Sequence, residues 1–366
     1  MNTVVGSSAR LLRDADSTTL TTQSAPGRYP VSFTGTAGEY FRIWIVNLCL
    51  TILTLGIYSA WAKVRRKRYF YAHTLIDGDN FEYCASPIAI LKGRLIAGGA
   101  IVLFYGLGYF APSYQWTVLV AAVFVVPWLL VRSLAFNAYN TAYRNIRLHF
   151  HGTYGACLKL IIGYGLLVIV TLGIGYPYLK TRMLEFMCRN HCYGKTQFEV
   201  ADLKPPLFRA YSYAIGMGIL GLIALFAIGA GVAMLSGAGR GVSALPRGFD
   251  VFIMILTYAG YLLIFAYLRA RVANAVFNNL VLGPVQFECS LRARDMFVLY
   301  LANIIAIIVT LGLATPWAVV RTMRYRAEKM VLVASAGLAR FVQDESSQVG
   351  AAGEEVGEVF GIDIGM

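Results

Sequence analysis

One segment of this chain is written three times. Displaced by 117 residues, Phe33, Gly35, Thr36, Gly38, Thr54, Leu55, Gly56 and Ile57 fall on Phe150, Gly152, Thr153, Gly155, Thr171, Leu172, Gly173 and Ile174 without a gap. Lys63 and Arg65 fall on Lys180 and Arg182, Trp61 on Tyr178, and Phe81-Glu82 on Phe198-Glu199. A displacement of 137 residues puts Arg132, Asn137, Ala138 and Phe150 on Arg269, Asn274, Ala275 and Phe287. The run TLGLATPWAVVRTMRYR then brings Thr310, Leu311, Gly312, Trp317 and Arg321 into the same columns. Internal repetition constrains a fold more than any local pattern, because each copy must form one supersecondary unit. The predicted organisation is two full units, 31–147 and 148–285, and a partial third, 286–342. A leader, 1–30, and an acidic tail, 343–366, are expected to be disordered.

Of 366 residues, 58% are hydrophobic and only 14% are charged, where a soluble domain carries about a quarter. Several apolar runs approach the ~20 residues that a helix needs to cross a bilayer. The fold class that follows is a mainly α, polytopic integral membrane protein. The leader is polar and lacks an apolar core, so it does not read as a cleavable signal peptide. The net charge of +13 is what basic loops beside membrane spans produce, so membrane lipids with anionic headgroups are the expected partners rather than nucleic acid.

Each unit opens on a short alternating stretch (YPVSFTGTAG, IRLHFHGTYG, PVQFECSLR), which predicts a strand and a turn. An apolar segment ending in TLG follows, then a basic, aromatic helix. The first two units continue with a second strand, DNFEYCA or TQFEVADL, and two further apolar spans, about 93–111 and 117–136, then about 213–235 and 250–268. The basic loops would lie on both faces if all seven apolar runs crossed. Four transmembrane helices plus three re-entrant or tilted apolar helices place those loops on one side, and let the short strands meet in a small cytoplasmic sheet. The alternative is seven transmembrane helices arranged as inverted repeats.

The candidate functional residues recur with the units. Arg65, Arg182 and Arg321, with Lys63 and Lys180, are candidate lipid- or anion-binding groups, since basic residues beside a span engage headgroups at about 1 kcal/mol each. Trp61, Tyr178 and Trp317 fit an interfacial aromatic belt. Asn137 and Asn274 read either as interhelical glue or as part of a polar path. His149, His151 and the run CRNHC at 188–192 lack the ligand spacing of a zinc site, and no metal or cofactor is expected. Glu82, Glu199 and Glu288 fit a strand face with Phe inward and Glu outward. No catalytic constellation is present: there is no Walker loop, GxSxG or HExxH.

The run FTGTAGEYFRIWIVNLCLTILTLGIYSAWAKVRRKRYFYAHTLIDGDNFEY, with ILKGRLIA and NAYNTAYRNIRLHFHG, strongly resembles the YjgN family of bacterial inner-membrane proteins, over about residues 30–342. That family is defined by a domain of unknown function. The resemblance implies a location in the bacterial cytoplasmic membrane and supplies no reaction, substrate or site residue. Two functional classes then compete: transport or binding of a small solute or lipid between repeat units, and a non-catalytic membrane scaffold that engages headgroups or a partner through a basic cytoplasmic face.

Overall fold

The computed structural model describes residues 27–111, 113, 115–235, 248–335 and 337–360. Within them one arrangement, strand–helix–helix–strand, occurs five times. The first module is β1 (Gly27–Phe33), α1 (Ala37–Leu53), α2 (Ser59–Ala72) and β2 (Thr74–Ile76). The second is β3 (Asp79–Tyr83), α3 (Pro87–Phe110), α4 (Gln115–Tyr139) and β4 (Thr141–Tyr143). The third is β5 (Ile146–Phe150), α5 (Tyr154–Val170), α6 (Tyr176–Arg189) and β6 (His191–Tyr193). The fourth is β7 (Thr196–Val200), α7 (Lys204–Leu235), α8 (Phe249–Phe277) and β8 (Leu280–Leu282). The fifth is β9 (Val285–Cys289), α9 (Ala293–Val309), α10 (Thr315–Glu328) and β10 (Met330–Ala334), and α11 (Leu338–Phe360) follows it.

The small sheet expected from the sequence is instead a closed ten-stranded antiparallel barrel. Consecutive strands pair, and β1 closes the circle on β10 with Gly27 opposite Ala334. Closure removes every exposed strand edge, which a handful of short separate strands would leave open. Successive modules are joined by two-residue turns. Asp77-Gly78 and Arg144-Asn145 both have positive φ throughout, and Gly194 and Gly283 supply it in the other two turns. All four turns therefore lie on one rim, and all five helical hairpins rise from the other.

The barrel interior is a packed core. Along β1 the residues Tyr29, Val31 and Phe33 turn inward and Arg28, Pro30 and Ser32 outward. Phe81, Tyr143, Phe198 and Phe287 add rings to the same interior. The Tyr143 hydroxyl donates to the Ile76 carbonyl at 2.8 Å, and Tyr193 donates to the Tyr143 carbonyl at 3.1 Å. Burial pushes the Tyr143 phenol up to about 12 and raises that of Tyr193 as well.

The leader and tail need correction. The first strand begins at Gly27, inside the expected leader, whose residues 1–26 lie outside the described residues. Residues 343–360 of the tail belong to helix α11, and 361–366 lie outside the described residues. The helix is ordered because it closes the turn rim: Leu338, Phe341 and Val342 join the barrel core. Glu345, 2% exposed, accepts the Lys195 backbone N–H at 2.9 Å.

Each helix packs on the next from α1 to α10, and α10 packs back on α1, so the hairpins form a closed ring over the barrel. Four helices, α3, α4, α7 and α8, are long and apolar enough to cross a bilayer, and few of the residues in their apolar stretches are fully buried by protein. The three hairpins α1–α2, α5–α6 and α9–α10 are shorter, with helices of 17 and 14 residues, or about 25 and 21 Å. Each starts and ends on neighbouring strands of one barrel. This connectivity does not fit seven crossings, which would put those strands on opposite faces.

The TLG motif is the tip of each short hairpin. Leu55, Leu172 and Leu311 have φ of 49, 50 and 51°, and Gly56, Gly173 and Gly312 have φ of 92, 93 and 95°. Each glycine N–H bonds back to the carbonyl five residues earlier, at 2.7–2.8 Å, which ends the helix in a Schellman turn. The threonine hydroxyl donates to the carbonyl four residues before it and accepts the N–H four residues after it, as Thr310 does with Ala306 and Ala314. The turn therefore satisfies its own backbone groups, as a tip at membrane depth would have to. The three leucines are 93–95% exposed, uncovered by any part of the protein.

Two outcomes are expected. Single cysteines replacing Asn80, Asn145, Lys195 and Pro284, at or beside the four turns, will react with an impermeant thiol reagent from one side of sealed vesicles only; a residue reacting from the other side would break the barrel. Gly312→Ala, which forces a side chain into the left-handed region, will cost about 1–2 kcal/mol and lower the thermal midpoint. Gly155→Ala, at a helical position with open space around it, will not.

Candidate functional site: basic clefts between helical hairpins

The recurrent basic residues sit on the returning helix of each short hairpin, close to the tip. Arg182 and Arg321 lie four residues beyond Tyr178 and Trp317, so one helical turn stacks each cation on its aromatic neighbour, at 5.4 and 5.0 Å from the ring centres. Arg65 instead donates to the Tyr58 hydroxyl at 3.4 Å, and Trp61 stacks on Tyr58 at 6.1 Å. Lys180 is half-buried on α6.

These arginines stay with their own hairpins. Arg182 lines a cavity of about 610 Å³ between α5 and α6, with Lys159, Tyr164 and Glu185. Arg321 lines one of about 380 Å³ between α9 and α10, with Asp295, Arg324 and Glu328. Both cavities are lined by three cations, but each also holds carboxylates: Glu185 in the first, Asp295 and Glu328 in the second. Arg182 is ion-paired to the buried Glu185 at 2.9 Å, and carboxylates line the second cavity beside its arginines. Convergence of the three arginines on one ligand does not occur in the described cavities.

A third cleft differs. It has a volume of about 480 Å³ and lies between α1, α2, the base of α3 and the neighbouring α10. Lys63, Arg66 and Arg94 line it, and its lining contains no acidic residue. Tyr40, Trp44, Asn47 and Thr51 of α1 form the opposite wall. Only Lys63 of this set carried the expected role. Arg66 stands three residues further along α2, and Arg94 lies in the second turn of α3. They meet Lys63 because α3 packs on α2.

A fourth cavity, about 520 Å³, is apolar and lies between the long helices α7 and α8, lined by Gly218, Gly221 and Gly260. The small residues leave the groove; bulkier ones would fill it.

The two amides expected as glue or polar path are fully engaged. Asn274 on α8 donates to the Leu291 carbonyl at 2.8 Å and accepts its N–H at 2.9 Å, tying the start of α9 to the span. Asn137 on α4 donates to Ser133 and accepts Lys67 Nζ at 2.6 Å. Both act as glue. His149 and His151 stack with their ring centres 6.4 Å apart; burial, then the neighbouring His151 and Arg147, lower the His149 pKa. Among the described residues no three His, Cys, Asp or Glu stand together to hold a metal. Glu82, Glu199 and Glu288 are exposed on the outer face, with Phe81, Phe198 and Phe287 inward.

Comparison with known proteins adds a family and a location. Residues 28–359 match the model of a bacterial protein family of unknown function, DUF898. The chain is 22% identical over 330 residues to the inner membrane protein YjgN of Salmonella typhimurium strain LT2, covering 78% of this chain and 83% of that protein. It is 23% identical over 361 residues to the inner membrane protein YjgN of Escherichia coli K12, covering 82% of this chain and 87% of the relative. No solved structure matches the chain.

Asn274→Ala will leave a buried N–H and carbonyl at Leu291 unpaired, costing about 2–3 kcal/mol, read as a lower thermal midpoint. Asn137→Ala, whose amide meets one lysine and its own helix, will cost less than half as much. Equal and negligible effects would return both amides to the polar-path reading.

Proposed function

We propose that this chain, which belongs to the DUF898 family and is a multi-pass protein of the bacterial inner membrane, binds lipid laterally in the clefts between its helical hairpins. The observation that carries this reading is the contrast between the axis and the wall of the molecule. The barrel axis is filled with aromatic and aliphatic side chains and covered by α11 at the turn rim, so it offers no path for a solute. The wall, in contrast, is open. Its short hairpins stop below the long spans and end in leucines facing outward, and basic and aromatic residues stand one or two helical turns beneath those tips. A lipid meets the same order of groups from its tails to its headgroup.

The barrel and the basic hairpin bases belong on the cytoplasmic side in this reading, as the distribution of Lys and Arg around the spans favours. Neither catalysis nor a cofactor is part of it. Native mass spectrometry of the purified full chain after detergent exchange provides the test. Retained phospholipid is the expected result. A lipid-free protein that conducts ions in planar bilayers would overturn the reading in favour of an axial pore.

A further inference from the structure

Five hairpins in a ring cannot alternate perfectly. Modules one, three and five carry short hairpins and modules two and four carry long ones. Around a closed ring of five, two short hairpins must therefore stand side by side once, where α10 of the fifth module packs on α1 of the first. Everywhere else a short hairpin is flanked by a membrane-spanning one. The wall of helices is lowest at this seam.

The acid-free basic cleft opens at the same place, with Thr315 and Val319 of α10 completing its lining. Its cations lack compensation. Lys63 and Arg66 have no hydrogen-bonding or acidic partner among the described residues, and Arg94 donates only to the Ser59 hydroxyl. Arg66 and Arg94 are exposed and Lys63 is half-buried, and three like charges in one cleft without a carboxylate attract a multiply charged anion. Two guanidinium forks and an ammonium suit an anion with several oxygens, which is the geometry of phosphate.

Asn47 borders the same cleft, and its Oδ1, like that of Asn303 in the third copy, is buried and unpaired. Its side chain is 7% exposed and makes no hydrogen bond among the described residues. Buried amides are almost always satisfied. The residue in the same column of the third copy is Asn303, also seven residues before its TLG threonine. Its amide donates to the Ala318 carbonyl at 3.2 Å and the Thr322 hydroxyl at 3.1 Å, binding α9 to α10. In the first copy Arg66 replaces that threonine, so the amide loses its partner and a cation gains the cleft.

We propose that the seam cleft between α1, α2, α3 and α10 is a phosphate site, in which Lys63, Arg66 and Arg94 hold the charge and Asn47 offers its Nδ2 as a further donor. For its occupant to be a lipid phosphodiester the proposal rests on lateral lipid binding; a free phosphate would use the same three cations.

The test uses the full chain in nonionic detergent, with binding read by native mass spectrometry and by thermal shift. The probes are short-chain phosphatidylglycerol, diacylglycerol of equal chain length, and inorganic phosphate. Wild type is expected to bind phosphatidylglycerol at least tenfold more tightly than diacylglycerol. The double variant Lys63→Gln/Arg66→Gln, and separately Arg94→Gln, will lose at least tenfold in that affinity. Lys63→Arg/Arg66→Lys, which keeps the charge, will stay within about threefold, as will Arg182→Gln and Arg321→Gln in the other hairpins.

If phosphatidylglycerol binds but the seam variants bind it equally well, this site is wrong and lateral lipid binding survives. Binding of inorganic phosphate alone, lost in the seam variants, supports the site and defeats the lipid reading. Equal affinity for diacylglycerol, or binding of none of the three probes, overturns the proposal.

Discussion

The structure depends on the pairing of β1 with β10, two strands some 300 residues apart in sequence. That pairing turns a meander into a barrel, and a barrel fixes the rest. With every strand antiparallel to its neighbours, alternate connections must lie on opposite rims. One rim therefore takes all the tight turns and the other takes all the helical hairpins. The hairpins inherit the circular order of the strands, so the helices form a ring without any need for strong contacts among the long spans. The ring is also necessarily wider than its base. Ten strands about 4.8 Å apart, tilted as in a barrel, span a circumference of about 60 Å. Ten helices at 8–10 Å spacing need about 80–100 Å. Helices tied to such a base must splay away from it, and clefts between hairpins are the geometric result.

The TLG tips carry a cost that depends on the solvent around them. A leucine in the left-handed region costs about 1–2 kcal/mol relative to its ordinary conformation, and glycine or asparagine would remove most of that strain. Three copies keep leucine, each more than nine-tenths exposed. In water that choice combines strain with exposed apolar surface. In hydrocarbon the side chain gains about 1.5–3 kcal/mol of transfer free energy, which exceeds the strain. Immersion of the tips in lipid would make the conformation and the exposure compatible with each other.

The four apolar spans and the longer alternating strands were readable from residue types and spacing. The strands TLI, TAY, HCY and LVL were not, because three residues are too few to show a period of two and each follows directly on a helix. They are strands only because the barrel offers them partners on both sides. The tail helix was hidden by composition: its acidic, Gly- and Ser-rich segment reads as mobile, and order comes from Leu338, Phe341 and Glu345 meeting a rim that only the closed barrel presents. At the clefts, the pairing of Arg182 with Glu185 is local, three residues apart on one helix. The grouping of Lys63 with Arg66, Arg94 and Thr315 is not, since it spans three modules and crosses the closure of the ring.

The most consequential sequence feature is the incompleteness of the third unit. A repeat of one short and one long hairpin, run for whole units, would give an even number of hairpins and a wall of uniform alternation. Stopping halfway through the third unit gives five. The low seam then follows from counting alone, before any side chain is considered. The residues bordering that seam differ from their counterparts elsewhere in one direction: the amide at Asn47 is released where Asn303 is bound, and Arg66 stands where Thr322 closes the corresponding contact. Packing does not favour that exchange, because it gives up the two hydrogen bonds that Asn303 Nδ2 makes and sets three like charges side by side. A binding partner for the seam removes both costs together.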